Sequence, residues 1–232
     1  MTLWTILSDM AKIFAKYWQI FLGQGVFYTL LLSLIAVSGG AVLGSLFALM
    51  KMSRVKPLRG VITAIVEVVR GTPALLQLYV GYFIVPMIIT SLKNAEAQSM
   101  AFTCVAVALI INSGAYVSEI IRSGIESVDK GQTEASRSLG LSGATTMTRI
   151  VLPQAVKNIL PALGNEFITI IKETSLASTF FVGELMTSYN IVKGKTYNAL
   201  PTLLLVGVIY FVMTFALSKL LRFAERRMKK HA

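Results

Sequence analysis

The sequence predicts an all-α, polytopic integral membrane helix bundle with five transmembrane helices. Of its 232 residues, 55% are hydrophobic and only 14% are charged, against about 25% charged in ordinary soluble domains. Mean hydropathy is +0.69. Windows free of charge recur at the length a bilayer core demands, roughly 20 helical residues. No stretch alternates apolar and polar residues with the period of a strand. The length suits one compact bundle.

The first residues hold Trp4, Leu7, Phe14, Tyr17 and Trp18 together with Asp9, Lys12 and Lys16. Aromatic and cationic residues mixed in this way predict an amphipathic helix lying at the membrane interface, over residues 1–25. The first long apolar run begins too late and runs too long for a cleavable signal peptide. Span one follows, uncharged from Val26 to Met50. Ala36, Gly40, Gly44 and Ala48 recur every four residues within it and form one small-residue stripe, which lets another helix pack closely. Span two lies in the 22 uncharged residues between Arg70 and Lys93, and span three in the 22 between Glu96 and Glu119. The window between Lys157 and Lys193 is the polar span, interrupted by Glu166, Lys172, Glu173 and Glu184. The last clear span is Ala199 to Ser218, and a basic tail ends the chain.

Charge orients these spans. The loop after span one, the loop between spans three and four, and the tail together hold fifteen Lys/Arg, and the opposite side holds five. Lys/Arg excess marks cytoplasmic loops, so the N-terminus is predicted outside and the C-terminus inside. The net charge of +11 is explained by this asymmetry and requires no nucleic acid. Cys104 stands alone in an apolar run, which excludes an internal disulfide, and the single histidine, His231, sits in the tail. Metal ligation by a histidine cluster is thereby excluded, as are Ser/His/Asp and Cys/His catalytic sets.

The stretch Glu134 to Ala155, EASRSLGLSGATTMTRIVLPQA, is polar and rich in small residues. A helix-forming run from Gln132 to Leu139 follows Gly131. Gly140 reads as its C-cap with Leu141 as hydrophobic partner. Ser142 can cap a second helix, whose apolar face is Met147, Ile150 and Val151. Pro153 marks the next boundary. A helix–turn–helix with an apolar face outside the membrane must dock on something, either the chain's own spans or a partner.

The pattern of Glu134-Ala135-Ser136, Leu139-Gly140, Ile150, Leu152-Pro153 and Ala155 resembles the cytoplasmic-loop signature of permease subunits of ATP-binding-cassette importers. Ser136 replaces the second Ala of the usual Glu-Ala-Ala, a small residue for a small residue. RGTPALLQL (Arg70 to Leu78), AYVSEIIRSGIESVDKGQTEA (Ala115 to Ala135) and IKETSLAS (Ile171 to Ser178) are similar to the polar amino acid branch, the histidine/glutamine/arginine-type permeases. The likeness runs from about Val26 to the C-terminus. It implies a type I ABC importer fold, with a transmembrane domain over 26–221, a coupling-helix loop at about 122–158 and a basic cytoplasmic tail at 222–232. It implies a subunit of the bacterial cytoplasmic membrane that carries no cofactor, binds no metal and has no ATPase site, and that moves an amino acid by alternating access. ATP and Mg would sit on the partner. The implied partners are two ABC ATPase subunits, a second permease as homodimer or heterodimer, and an extracytoplasmic amino-acid-binding protein. Glu134, Ala135, Ser136, Arg137 and Gly140 would couple to the ATPase, small residues there permitting close approach to a groove on another protein.

Charges at membrane depth are costly and mark function. Glu67 and Arg70 precede Gly71, Thr72 and Pro73, where proline disfavours helix and predicts a break that frees backbone groups. Glu166 and Glu173 are seven residues apart, nearly on one helical face. A zwitterionic amino acid needs an anion for its ammonium and a cation for its carboxylate. Arg70 suits the carboxylate through its planar fork, and Glu166 suits the ammonium. Leu163, one turn before Glu166, would select the side chain, and Glu67, near the break, joins them as a substrate-binding candidate. Alternatively Arg70 pairs internally with Glu67, and Glu166 is an interfacial or capping carboxylate. Glu67, Glu119, Lys172 and Glu173 also read as ion pairs near the cytoplasmic interface. The sequence GKT at Gly194 to Thr196 is not a phosphate-binding loop, because Tyr189 stands where its first glycine belongs. An ion-coupled secondary transporter would suit charges in a span but leaves the loop signature unexplained and lacks an internal repeat. A channel-like scaffold is the third reading.

Overall fold

The computed structural model describes residues 2–230. His231, on which the exclusion of a histidine metal site rested, lies outside them. The described chain is almost wholly helical and contains no strand. Its ten α-helices are α1 (Leu3–Trp18), α2 (Phe27–Lys51), α3 (Lys56–Gly71), α4 (Ala74–Ile88), α5 (Ala97–Glu126), α6 (Lys130–Ser138), α7 (Gly143–Thr146), α8 (Leu152–Glu173), α9 (Leu185–Thr196) and α10 (Ala199–Lys230).

A helix forms at the N-terminus, where an interfacial one is expected, but it does not stop before span one. It runs through a non-helical Tyr17 (φ −121°, ψ 16°) and a π-helical stretch, Gln19–Val26, into α2. The π turns, with glycines at 23 and 25, carry the helical run on into α2. Helix α1 then packs along α10.

Helix α5 is the axis of the bundle. It meets α2, α3, α4 and α8, and its pairing with α2 is the most extensive in the molecule. The small-residue stripe explains that pairing. Ala36, Gly40, Gly44 and Ala48 are all buried. A Cβ at Gly44 would stand 2.7 Å from the Gly114 carbonyl oxygen and 2.7 Å from Val117, so α2 and α5 cross nearly backbone to backbone.

Among the described residues, three helical runs are long and apolar enough to span a bilayer: Leu3–Lys51, Ala97–Glu126 and Ala199–Arg227. Helices α3 and α4 make a fourth only as a broken pair, bent by 112°. The break falls at Thr72 and Pro73, both extended, where proline places it. The polar window from Lys157 to Lys193 is not one helix. Helix α8 starts earlier, at Leu152, and ends at Glu173. A 3₁₀ turn, Thr174–Phe180, follows it. Left-handed Phe181 (φ 52°) and Gly183 (φ 90°) then redirect the chain into α9. The 3₁₀ turn is packed rather than loose. Phe180 stacks on Tyr82 of α4 at 4.8 Å and meets Tyr79 edge-on at 5.0 Å.

Candidate functional site

At the α3–α4 break the freed carbonyls do not stay free. The Gln77 side-chain amide donates to the carbonyl oxygens of Val69 (2.6 Å) and Thr72 (3.1 Å), and Thr72 Oγ1 donates to Val68 (2.9 Å). Backbone groups without water must find partners, and Gln77 supplies them from the first turn of α4. Asn112 of α5 donates to Gln77 Oε1 at 2.9 Å, tying the break to the axis. Its own Oδ1 is buried and without a partner among the described residues. An apolar cavity of about 440 Å³ opens in the crook of the bend, with Thr72 and Gln77 as its polar edge.

Glu166 lies on the inner face of α8 and is only 9% exposed. The Ser113 hydroxyl of α5 lies close to its carboxylate but makes no hydrogen bond of full geometry to any described residue. Glu173, two turns along the same face, also has a buried carboxylate oxygen, Oε2, without a partner. Leu163 is half-buried one turn before Glu166. A carboxylate beside a hydroxyl that lacks a partner of its own, both drawn inside an apolar bundle, can hold an ammonium or hydroxyl group.

Arg70 faces elsewhere. Its Nη1 lies 3.7 Å from Glu119 Oε2, and its guanidinium sits over the Tyr116 ring, 5.5 Å from the centroid. Glu67, one turn earlier on α3, is exposed and has no ion pair among the described residues. Arg70 is therefore paired internally, but with a carboxylate on α5. Glu119 also receives Lys51 of α2 and Arg122 of its own helix, the latter at 2.9 Å, and Arg122 continues to Glu126 at 2.6 Å. One carboxylate thus ties α2, α3 and α5 at their basic end. Of the four residues expected to pair there, Glu119 does so. Glu67, Lys172 and Glu173 have no ion pair among the described residues. Ser113 and Glu119 are six residues apart on α5, about 120° around the helix and about 9 Å along it. The structure does not bring Arg70 and Glu166 together.

The loop helices form as the local signals require. Asp129 caps α6 by accepting from the Gly131 N–H at 2.6 Å. The helix ends with Gly140 at φ +82°, with N–H bonds from Gly140 to the Arg137 carbonyl and from Leu141 to the Ser136 carbonyl. That double closure is the Schellman arrangement, which needs a residue tolerant of positive φ. Ser142 caps α7 by accepting from the Thr145 N–H at 3.1 Å. Ser136 is buried and bonds the Gln132 carbonyl at 2.6 Å, whereas Glu134, Ala135, Arg137 and Gly140 are exposed. Helix α6 packs on the turn Met147–Val151 and turns its other face outward. Leu139, on that face, is 83% exposed.

Four side chains carried no distinct signal in the sequence. Gln77, Asn112 and Ser113 are uncharged residues in apolar runs. Glu184 read as an interruption of a span but is fully buried at the N-cap of α9. It accepts from the N–H groups of Met186 (2.5 Å) and Thr187 (2.7 Å), from Thr187 Oγ1 (2.7 Å) and from the Tyr210 hydroxyl of α10 (3.2 Å).

Comparison with known proteins accords with this architecture. A family profile described as "Binding-protein-dependent transport system inner membrane component" matches residues 40–230. The chain is 38% identical over 209 residues to the putative glutamine transport system permease protein GlnP of Rickettsia bellii, covering 90% of this chain and 93% of that one. It is 36% identical over 217 residues to the L-cystine transport system permease protein TcyB of Bacillus subtilis, covering 93% and 89%. A solved structure described as an amino acid ABC transporter with histidines superposes with a TM-score of 0.84 and 45% identity, over 92% of this chain and 96% of that one. The bent α3–α4 pair, the axial α5 and the capped α6–α7 loop are thus those of a membrane-embedded transport subunit, and the chain belongs to the family of binding-protein-dependent transport system inner membrane components.

Proposed function

We propose that this chain is the permease of an importer for an amino acid, and that Glu166 holds the substrate's ammonium. The observation that carries this reading is the Glu166 carboxylate, buried beside the unpartnered Ser113 hydroxyl within the bundle. Leu163 then faces the substrate side chain. Arg70 reaches the substrate carboxylate only by exchanging Glu119 for it, with Glu67 beside the same break. The relatives support an amino acid as cargo through their names, which include glutamine and cystine.

The energy comes from outside the chain. Two ATPase subunits, carrying ATP and Mg, receive the α6–α7 loop through Ala135, Glu134, Arg137, Gly140 and the exposed Leu139. Ser136 lies buried behind that surface and bonds the Gln132 carbonyl of its own helix, its small side chain letting α6 sit close to its base. A second permease copy or a similar chain completes the pathway, and a binding protein delivers substrate from outside. The five spans are α2, the α3–α4 pair, α5, α8 and α10, with the N-terminus outside the inner membrane and the C-terminus in the cytoplasm. Closing of the ATPases biases two arrangements of the bundle, so substrate arrival raises ATP hydrolysis by the same coupling.

The test is uptake of a panel of labelled amino acids by the complex in liposomes, wild type against Glu166→Gln. The expected result is ATP-dependent uptake of one class, lost in the variant by at least ten-fold while basal ATP hydrolysis persists; a ten-fold loss corresponds to about 1.4 kcal/mol. Normal uptake by the variant would move the site to the Gln77–Asn112 network at the break. Uptake that follows an ion gradient without ATP would instead establish a secondary transporter.

A further inference from the structure

We propose that the groove between α8 and α10 binds an anionic phospholipid. The groove is about 370 Å³ in volume and is lined from α8 by Lys172 and from α10 by Phe211, Phe215, Ser218 and Arg222 among others. Both cations are exposed, and neither is in an ion pair among the described residues. No acidic side chain lines the groove. The nearest acids by sequence do not neutralise it. Glu173 keeps one carboxylate oxygen buried in the protein, and Glu225, one turn beyond Arg222, makes no ion pair with it.

The two ends of the groove differ in chemistry. Phe211 and Phe215 stack at 5.6 Å and are 64% and 49% exposed, offering an apolar wall at one end. Arg222 stands at the other, eleven residues along α10, about 16 Å. Lys219 sits over the Phe215 ring at 5.4 Å, and Arg227 sits over Phe223 at 4.9 Å. The apolar wall of Phe211 and Phe215 therefore gives way, farther along the same helix, to a stretch where Lys219, Arg222 and Arg227 flank the single Phe223 ring, as a leaflet passes from acyl chains to headgroups. Basic pockets between spanning helices recognise phosphate-bearing headgroups in this way. A free anion would be served by the cations alone and has no use for the aromatic wall. A second copy of this chain would bring its own Lys172 and Arg222 against these, with no carboxylate in the groove to offset them.

The purified complex containing the full chain, exposed in detergent to dioleoylphosphatidylglycerol or to dioleoylphosphatidylcholine, tests this by native mass spectrometry. The tails are identical and only the headgroup charge differs. The expected result is retention of one phosphatidylglycerol per permease chain in preference to phosphatidylcholine, with the preference falling about five-fold for each cation removed in Lys172→Gln and Arg222→Gln. Arg226→Gln with Arg227→Gln, outside the groove, should leave that lipid in place. Equal retention of the two lipids, or a preference that survives loss of both groove cations, overturns the proposal. Displacement of the lipid by millimolar inorganic phosphate would show a free-anion site instead. Cross-linking of Ser218→Cys between two copies in a Cys104→Ser background, undiminished by added phosphatidylglycerol, would show that a second copy covers the groove.

Discussion

Glu184 shows how a charge is made tolerable inside the bundle. Its carboxylate takes four donors from α9 and α10 and is fully buried. Beside it, the Leu185 N–H donates to Thr29 Oγ1 at 3.1 Å and Ser188 Oγ donates to the Ile20 carbonyl at 3.1 Å, so the start of α9 is locked to the first spanning helix. A satisfied carboxylate of this kind serves structure, whereas Glu166, with no comparable set of donors among the described residues, is the carboxylate proposed to hold a ligand. Glu184→Ala removes a cap and strands the Tyr210 hydroxyl. The expected cost is about 2–4 kcal/mol, read as a lower unfolding midpoint in detergent. Tyr210→Phe should cost only about 1 kcal/mol, and the double change should cost less than the sum of the two. Strict additivity would mean that the 3.2 Å contact carries no coupling.

Among the elements, the α6–α7 loop is the one whose local signals and exposed surface disagree about purpose. Its caps are complete, so it needs no partner to hold its shape. Leu139, 83% exposed at its tip, is open to a partner such as the proposed ATPase. Leu139→Ser should leave the unfolding midpoint within about 0.5 kcal/mol of wild type, the usual range for surface changes. It should also reduce co-purification of the ATPase. Loss of the fold together with the ATPase, or loss of neither, would remove Leu139 from the coupling surface. The α2–α5 crossing is the opposite case. There the small-residue stripe was legible because a spacing of four places its members on one helical face, and close packing follows wherever a second helix is available.

For the molecule as a whole, Lys/Arg clusters lie beyond α2, around α6–α7 and at the end of α10, and the helix order places all three at one end of the bundle if α3–α4 counts as one span. That distribution supports the orientation proposed above. In a Cys104→Ser background, Asn94→Cys should react with a membrane-impermeant maleimide in intact cells, and Val55→Cys only after permeabilisation. The reverse pattern would invert the topology. Cys104 itself is fully buried, so its replacement removes background labelling without opening the surface.

Class, the positions of α2, α5 and α10, the break at Pro73, the caps at Gly140 and Ser142 and the packing stripe were all determined by sequence alone. Each is local: it depends on hydrophobic content, on proline and glycine backbone preferences, or on a spacing within one helix. The family resemblance rested on motifs of the same local kind. The tertiary structure alone decided which side chains face one another. Arg70 was expected beside Glu67 or a substrate and is drawn to Glu119, because α5 presents Tyr116 and Glu119 to α3 while Glu67 points outward. Gln77 and Asn112 gained a role only when the bend brought a broken helix end against α5. Glu184 and Glu166 are the same residue type in the same polar window, and the groups around each distinguish a structural carboxylate from a candidate binding one: the first turn of α9 and the remote Tyr210 hydroxyl for Glu184, and the remote Ser113 hydroxyl for Glu166. A carboxylate's role depends on what surrounds it in space, and sequence spacing carries that information only within a single helix.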